Sequence, residues 1–348
     1  MTTPNVSVVI PLYNHARFAA EAVRSVLAQE PGDLELIVVD DGSRDESVAV
    51  VESITDARLR VLSQPNQGAH VAINRGLAEA KGRFLAILNS DDRFAPGRLS
   101  ASIDVLQREP LTALVGSWIQ LIDDAGRTIS VKHGYDDLDP WPVAEPAKTF
   151  KADRDLRLAL LQQNYWATTS NYVFPRSTWE RHGPFRPLRF AHDWDFALRV
   201  QKESRAHIIE APLIEYRIHE TNTIRTDRPV MIYEICWALA AHAPAYLDSA
   251  PFWQAGEARR AEQLLRSIHV YGCDKVLWAM TVHIHQGLPG ADLRLLDPQD
   301  PARRVYLAEI ERILALTEPA PGPPTPSGGR GRLARFMGRV RSAFRRRG

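Results

Sequence analysis

The sequence predicts an α/β fold: a mostly parallel central sheet flanked by helices, followed by a helical C-terminal region. Three observations predict it. Short apolar runs recur at 6–10, 34–39, 59–62 and 83–88, with helical periods between them. Two of these runs end in adjacent aspartates, Asp40-Asp41 and Asp91-Asp92. From about residue 228 to 318 helical periodicity dominates. A strand buried on both faces carries such continuous hydrophobic text, and helices of about 10–15 residues between strands imply right-handed crossovers and a parallel sheet.

Taken in order, Val6–Ile10 reads as the first strand. The segment from Arg17 to Gln29 places Phe18, Ala22, Val26 and Leu27 at a helical period. Leu34–Val39 is the second strand, followed by the turn Asp41-Gly42-Ser43 and a helix from about Asp45 to Ile54. Leu59–Leu62 is a third strand, Gly68–Ala80 a third helix, and residues 83–88 a fourth strand. Pro96 then opens a helix at a first-turn position. Beyond residue 112 the text changes. Ala113–Trp118 and Ile119–Ile122 read as strands, and Asp123–Gly126 turns into Thr128–Val131. Three prolines make 133–150 an irregular loop; Asn171–Phe174 is a strand, His192–Glu203 a helix, and Ala206–Ile218 one or two strands.

Composition bounds the class. The 348 residues are 45% hydrophobic and 24% charged with a net charge of +1, an ordinary globular balance that argues against nucleic acid as a partner. The two cysteines lack metal-ligand spacing and read as reduced thiols. With no signal-peptide pattern and no stretch of about 18 or more apolar residues, a cytoplasmic location is expected. Residues 319–331 are rich in proline and glycine and read as a linker. In the tail 332–348, Leu333, Phe336, Met337, Val340 and Phe344 share one helical face, and arginines occupy mostly the other. That pattern fits peripheral contact with an anionic membrane surface at the inner face of the plasma membrane.

The strand ends carry the chemistry. Pro11-Leu12-Tyr13-Asn14, Asp40-Asp41-Gly42-Ser43 and Asn89-Ser90-Asp91-Asp92 converge on one rim of one sheet, where open α/β sheets bind ligands. Carboxylates gathered there repel each other unless a cation or a donor-rich ligand sits among them.

These motifs, with Asn66-Gln67-Gly68, Asn74 and Gly76, the segment Ala191–Arg199 and Tyr216–His219, resemble the family-2 glycosyltransferases of the GT-A fold over about residues 4–222. The resemblance implies a nucleotide pocket lined by Pro11, Tyr13, Asn14 and Asn74, with Asp41 accepting from the base, typically uracil. It implies Asp92 as ligand to Mn²⁺ or Mg²⁺, Asp91 at the ribose or the metal shell, and His219 near the metal or the diphosphate. Asn89 stands where an aspartate is commoner, which implies weaker metal binding but not its loss. Asp193 matches the acidic catalytic residue, and His192 replaces the usual glutamate before it.

The chemistry agrees with those roles. Departure of a nucleoside diphosphate needs its charge neutralised, and an acceptor hydroxyl needs a carboxylate to take its proton. Trp166 and Trp194 are candidates to stack on a sugar, core packing being the competing reading. Asp195 either binds acceptor or braces the site. The expected protein is an inverting, metal-dependent transferase that moves sugar from a UDP-sugar to a saccharide or lipid-linked acceptor, as in surface-polysaccharide assembly. Its expected divisions are a transferase domain 1–222, a helical region 223–318, the linker and the tail. A nucleotidyltransferase, or a non-catalytic scaffold that binds saccharide or membrane, are the alternatives. The first wants a glycine-rich basic loop where this chain has Pro11–Asn14.

Overall fold

Strand β1 (Val6–Leu12) lies near the middle of the sheet, and every one of its residues is buried. It pairs in parallel with β2 (Leu34–Asp40) on one side and β4 (Phe84–Ile87) on the other. The computed structural model describes residues 4–30, 32–133, 156–219, 226–248, 268–286 and 289–317. The expected loop beyond His133, the linker and the basic tail lie outside these residues.

Between and beyond these strands come α1 (Ala19–Leu27), α2 (Ser47–Glu52), β3 (Leu59–Ser63), α3 (Ala69–Glu79), β5 (Arg93–Phe94) and α4 (Arg98–Arg108). Then follow β6 (Thr112–Ile122), β7 (Thr128–Lys132), α5 (Leu156–Gln162), a 3-10 turn Thr169–Asn171, β8 (Val173–Pro175) and α6 (Arg176–His182). The chain continues through α7 (His192–Glu203), β9 (Arg205–Arg217), α8 (Arg228–Asp248), α9 (Asp274–Gln286), α10 (Ala291–Arg294) and α11 (Pro301–Thr317).

The nine-stranded sheet runs β3-β2-β1-β4-β8-β6-β9-β5, with β7 paired to β6. The parallel expectation holds for β1 to β4 and for the long β6–β9 ladder. Strands β5, β7 and β8 run antiparallel to their neighbours, so the sheet is mixed. The anticipated region 206–218 is one strand. The helix expected at Pro96 begins two residues later, after Gly97 adopts a left-handed φ of 81°.

Alternation along the strands divides the core into two layers. Val9, Ile37, Val39, Leu85 and Ile87 face one cluster with α3, α7 and the C-terminal helices. Val6, Val8, Ile10, Leu36, Val38 and Ala86 face the other, with α1 and α4. Helix α3 comes so close that a Cβ on Gly76 would lie 2.4 Å from a Val9 methyl carbon. Helix α8 is long and apolar enough, by length and composition, to cross a membrane. Yet it is packed within the apolar cluster against α7, α9 and α11, as a core helix is.

The register sets the functional rim. Val9 lies opposite both Ile37 and Ile87, and Leu12 opposite Asp40. The chain therefore leaves β1, β2 and β4 at one level, and the polar clusters that follow share one edge.

Candidate active site

The loop after β2 is built around Asp41. Its Oδ1 accepts from Gln64 Nε2 at 2.8 Å and from the Gln67 N–H at 2.9 Å, and its Oδ2 from the Gly68 N–H at 2.8 Å. Gly42 has a φ of +75°, and a Cβ there would sit 2.9 Å from the Asn66 nitrogen. The turn needs glycine. Asn14, at a left-handed φ of 51°, donates its N–H to Ser43 Oγ and accepts from the Arg44 N–H. These bonds tie the loops after β1 and β2 together. Pro11 is buried beneath them, and the Tyr13 ring is 40% exposed at the mouth.

The loop after β4 separates the two neighbouring aspartates. Asp91 Oδ2 is 3.0 Å from His219 Nε2, and His15 Nδ1 is 2.8 Å from Ser90 Oγ. Ligand atoms of His15, Asp91 and His219 all lie within 4.8 Å of one another. Burial raises the Asp91 pKa, but the hydrogen bond from His219 and the nearby imidazoles outweigh it and hold the carboxyl below its ordinary value. Asp92 is buried behind the rim. It accepts from Ser170 Oγ at 2.6 Å and from the Arg217 N–H at 2.9 Å, and burial together with Asp91 pushes its pKa well up. The carboxylate grouped with histidines is thus Asp91, one residue from the expected ligand Asp92. Adjacent side chains leave a backbone in different directions, and the sequence did not say which faced outward. Arg217, from the end of β9, donates to the Asp91 carbonyl and to Glu21, locking this corner.

Asp193 sits in the first turn of α7 and is 6% exposed. Asn164 Nδ2 donates to its Oδ2 at 2.9 Å, the Trp194 N–H donates to its Oδ1 at 2.7 Å, and the Tyr172 hydroxyl donates to its carbonyl. Burial raises its carboxyl pKa, partly opposed by His192. Tyr172 reaches the sheet where its carbonyl accepts the Ile87 N–H, and Asn89 Nδ2 donates to Thr168. The α7 start is therefore joined to the β4 end. His70, in the first turn of α3, feels both His192 and Asp41, and burial lowers its pKa.

Other expected residues are placed elsewhere. Both polar atoms of the Asn74 amide are spent on the Phe185 backbone, donating to its carbonyl and accepting from its N–H, each at 2.8 Å. These two bonds fix the chain before α7. Asp195 is completely buried, with Arg186, Arg199 and His242 on its two oxygens. Burial raises its pKa, but Arg199, the hydrogen bond from His242 and Arg186 outweigh it and hold it low. It braces, and has no open face for an acceptor.

Trp194 donates its ring N–H to the Leu160 carbonyl within the core. Trp166 is wholly buried, stacked over Gly116 where a Cβ would be 2.4 Å from its ring. Neither indole is open to a sugar. Trp166→Ala is accordingly expected to cost about 3–5 kcal/mol of stability, measured by urea unfolding; an unchanged midpoint with altered acceptor KM would restore the stacking role. His15, His70 and Asn164 went unnoticed in the sequence, since a lone histidine or asparagine in a loop carries no periodic signal. The cavity lined by Thr112, Pro175, Gln201 and Arg205 opens where β6 and β9 begin, at the opposite edge of the sheet from these carboxylates.

Comparison with known proteins shows the family and the fold. The family model "Glycosyl transferase family 2" matches residues 7–196, more than half of the chain. The uncharacterized glycosyltransferase RP339 of Rickettsia prowazekii is 28% identical over 240 residues, covering 68% of this chain and 71% of its own. Among solved structures, S. aureus TarS 1-349 in complex with UDP-GlcNAc superimposes with a TM-score of 0.58 at 16% identity, over 91% of this chain and 93% of that one. The mannosyltransferase PcManGT of Pyrobaculum calidifontis, in complex with GDP-Man and Mn²⁺, gives 0.51 at 18% identity, over 90% and 87%. The mixed sheet flanked by helices, with its helical C-terminal region, is the GT-A architecture. On the extent of that family match, the chain belongs to the family-2 glycosyltransferases.

Proposed function

We propose that this enzyme transfers a sugar from a nucleoside diphosphate sugar, a UDP-sugar, to a hydroxyl of a saccharide or lipid-linked acceptor, with inversion at the anomeric carbon. The observation that carries the reading is the rim itself: Asp41 and Asp91 follow β2 and β4, and a buried Asp193 whose pKa is raised is tied to the β4 end through Tyr172. Asp41 retains an acceptor position for a base N–H beside its three protein donors, and Tyr13 offers an exposed ring beside it. Asp193 takes the proton of the acceptor hydroxyl as that oxygen attacks. A raised pKa suits this work, because a base is most effective when its pKa approaches the working pH. Asn164 and the Trp194 N–H keep its two oxygens oriented. A single in-line displacement of this kind inverts the configuration and needs no covalent intermediate.

His15, Asp91 and His219 would hold a divalent cation, since their ligand atoms already lie within one coordination sphere's span. Two imidazoles and one carboxylate suit Mn²⁺ better than Mg²⁺, which prefers oxygen ligands. The cation's contribution when bound is neutralisation of charge on the departing diphosphate. Support comes also from the neighbours, one solved with UDP-GlcNAc and one with GDP-Man and Mn²⁺.

The test is nucleotide release from a panel of UDP- and GDP-sugars with Mn²⁺, Mg²⁺ or EDTA, and NMR of the product anomer. Release from one UDP-sugar, supported by Mn²⁺ and giving the inverted anomer, is expected; no release from any donor would sink the reading. The basic tail would place the enzyme at the cytoplasmic face of an anionic membrane. Sedimentation with phosphatidylserine vesicles should fall on removal of residues 332–348, and equal sedimentation would refute the anchor.

A further inference from the structure

The position of Asp193 depends on the short segment that feeds α7. A helix N-terminus leaves its first backbone N–H groups without intrahelical partners. Here the three residues before His192 present their N–H groups to one carboxylate from far along the chain. Arg189 N–H donates to Glu234 Oε1 at 2.9 Å, and Phe190 and Ala191 N–H donate to Glu234 Oε2 at 2.6 and 3.1 Å.

Glu234 stands on α8 and is 2% exposed. A carboxylate in an otherwise apolar core helix is costly unless its oxygens are well bonded. Burial does push its pKa up, and the three amides pull it back. Nothing else in the local sequence of α8 calls for an acid. Two turns further on, His242 Nε2 lies 2.8 Å from Asp195 Oδ1 in α7. Between them, Trp237 lies beneath the Arg186 guanidinium at 5.4 Å, and Arg186 pairs with Asp195. Glu234, Trp237 and His242 lie on one side of α8, so one helix grips the entry to α7 and its first turn, with His192-Asp193-Trp194 held between.

We propose that Glu234 is a positioning residue for sugar transfer: its carboxylate, bonded to the amides of residues 189–191, sets where Asp193 stands. The helical region after residue 226 is then part of the catalytic apparatus. This rests on the reading of Asp193 as the base, and the experiment separates the two claims.

Full-length Glu234→Gln and Glu234→Ala variants are compared with wild type and Asp193→Asn. The first readout is amide hydrogen exchange across residues 189–193. Exchange about tenfold faster in Glu234→Ala is expected, since each lost bond weakens local closure, with Glu234→Gln between the two. Exchange within twofold of wild type would overturn the proposal whatever the activity. The second readout is steady-state transfer, normalised to the folded fraction. A kcat lowered about 10- to 100-fold in Glu234→Ala, with donor KM within twofold, is expected for a displaced base. Activity that falls only as the folded fraction falls would reduce Glu234 to a structural role and overturn the proposal. If exchange responds but wild type transfers no sugar, the positional claim stands and the transfer reading fails.

Discussion

Asp193→Asn is expected to lower kcat by roughly 10²- to 10⁴-fold, the range for loss of a general base, while donor KM changes little. The asparagine keeps the shape and can still accept from the Trp194 N–H, but it cannot take a proton. The wild-type pH profile provides the companion result. Because burial raises the Asp193 pKa, its carboxyl is protonated over a wider acid range than an ordinary carboxylate. The kcat should therefore rise with pH along a limb centred above the ordinary carboxylate value, and fall as pH drops through it. In the asparagine variant that limb should vanish. Steady-state kinetics across pH decide the matter: an asparagine variant within tenfold of wild type, with its acid limb intact, would remove Asp193 from the chemistry.

The second large effect is expected at the corner of β4 and β9. Asp91→Ala removes the carboxylate grouped with His15 and His219 and should abolish both Mn²⁺ stimulation and Mn²⁺-induced thermal stabilisation. Turnover should fall by about a hundredfold or more. Asp92→Asn is the informative contrast. Its side chain bonds Ser170 and the Arg217 N–H, behind the rim. Substitution should cost about 1–3 kcal/mol of stability yet leave the Mn²⁺ response in place. The opposite pattern, with the metal response lost in Asp92→Asn and kept in Asp91→Ala, would return the ligand role to Asp92.

Much of this arrangement was legible before any coordinates. The apolar runs gave the first four strands, because a doubly covered strand has little room for polar residues. Helix α7 runs from His192 to Glu203 as its period predicts. Rim clusters follow from strand order alone, since parallel strands in register end together. What escaped was whatever depends on direction or on distant partners. Whether Asp91 or Asp92 faces outward is fixed by a turn, not by a period. Asn74 and Asp195 look like site residues in the text, yet Asn74 bonds the Phe185 backbone and Asp195 is buried among Arg186, Arg199 and His242. Glu234 was invisible because its partners are backbone amides more than forty positions earlier, and a backbone amide leaves no mark in composition.

The slot over Gly116 has a consequence for anyone exchanging parts between related enzymes. The indole of Trp166 fills the place of a missing side chain on β6, and two residues before it in the chain stands Asn164, which orients Asp193. Strand and loop work as key and keyway, so a segment 156–171 grafted from a relative will seat only where the receiving strand leaves the same notch. A chimera bearing Gly116→Ala should show a loosened graft and a wandering Asn164 in its NMR spectrum; one that keeps its native chemical shifts would show that the notch is dispensable.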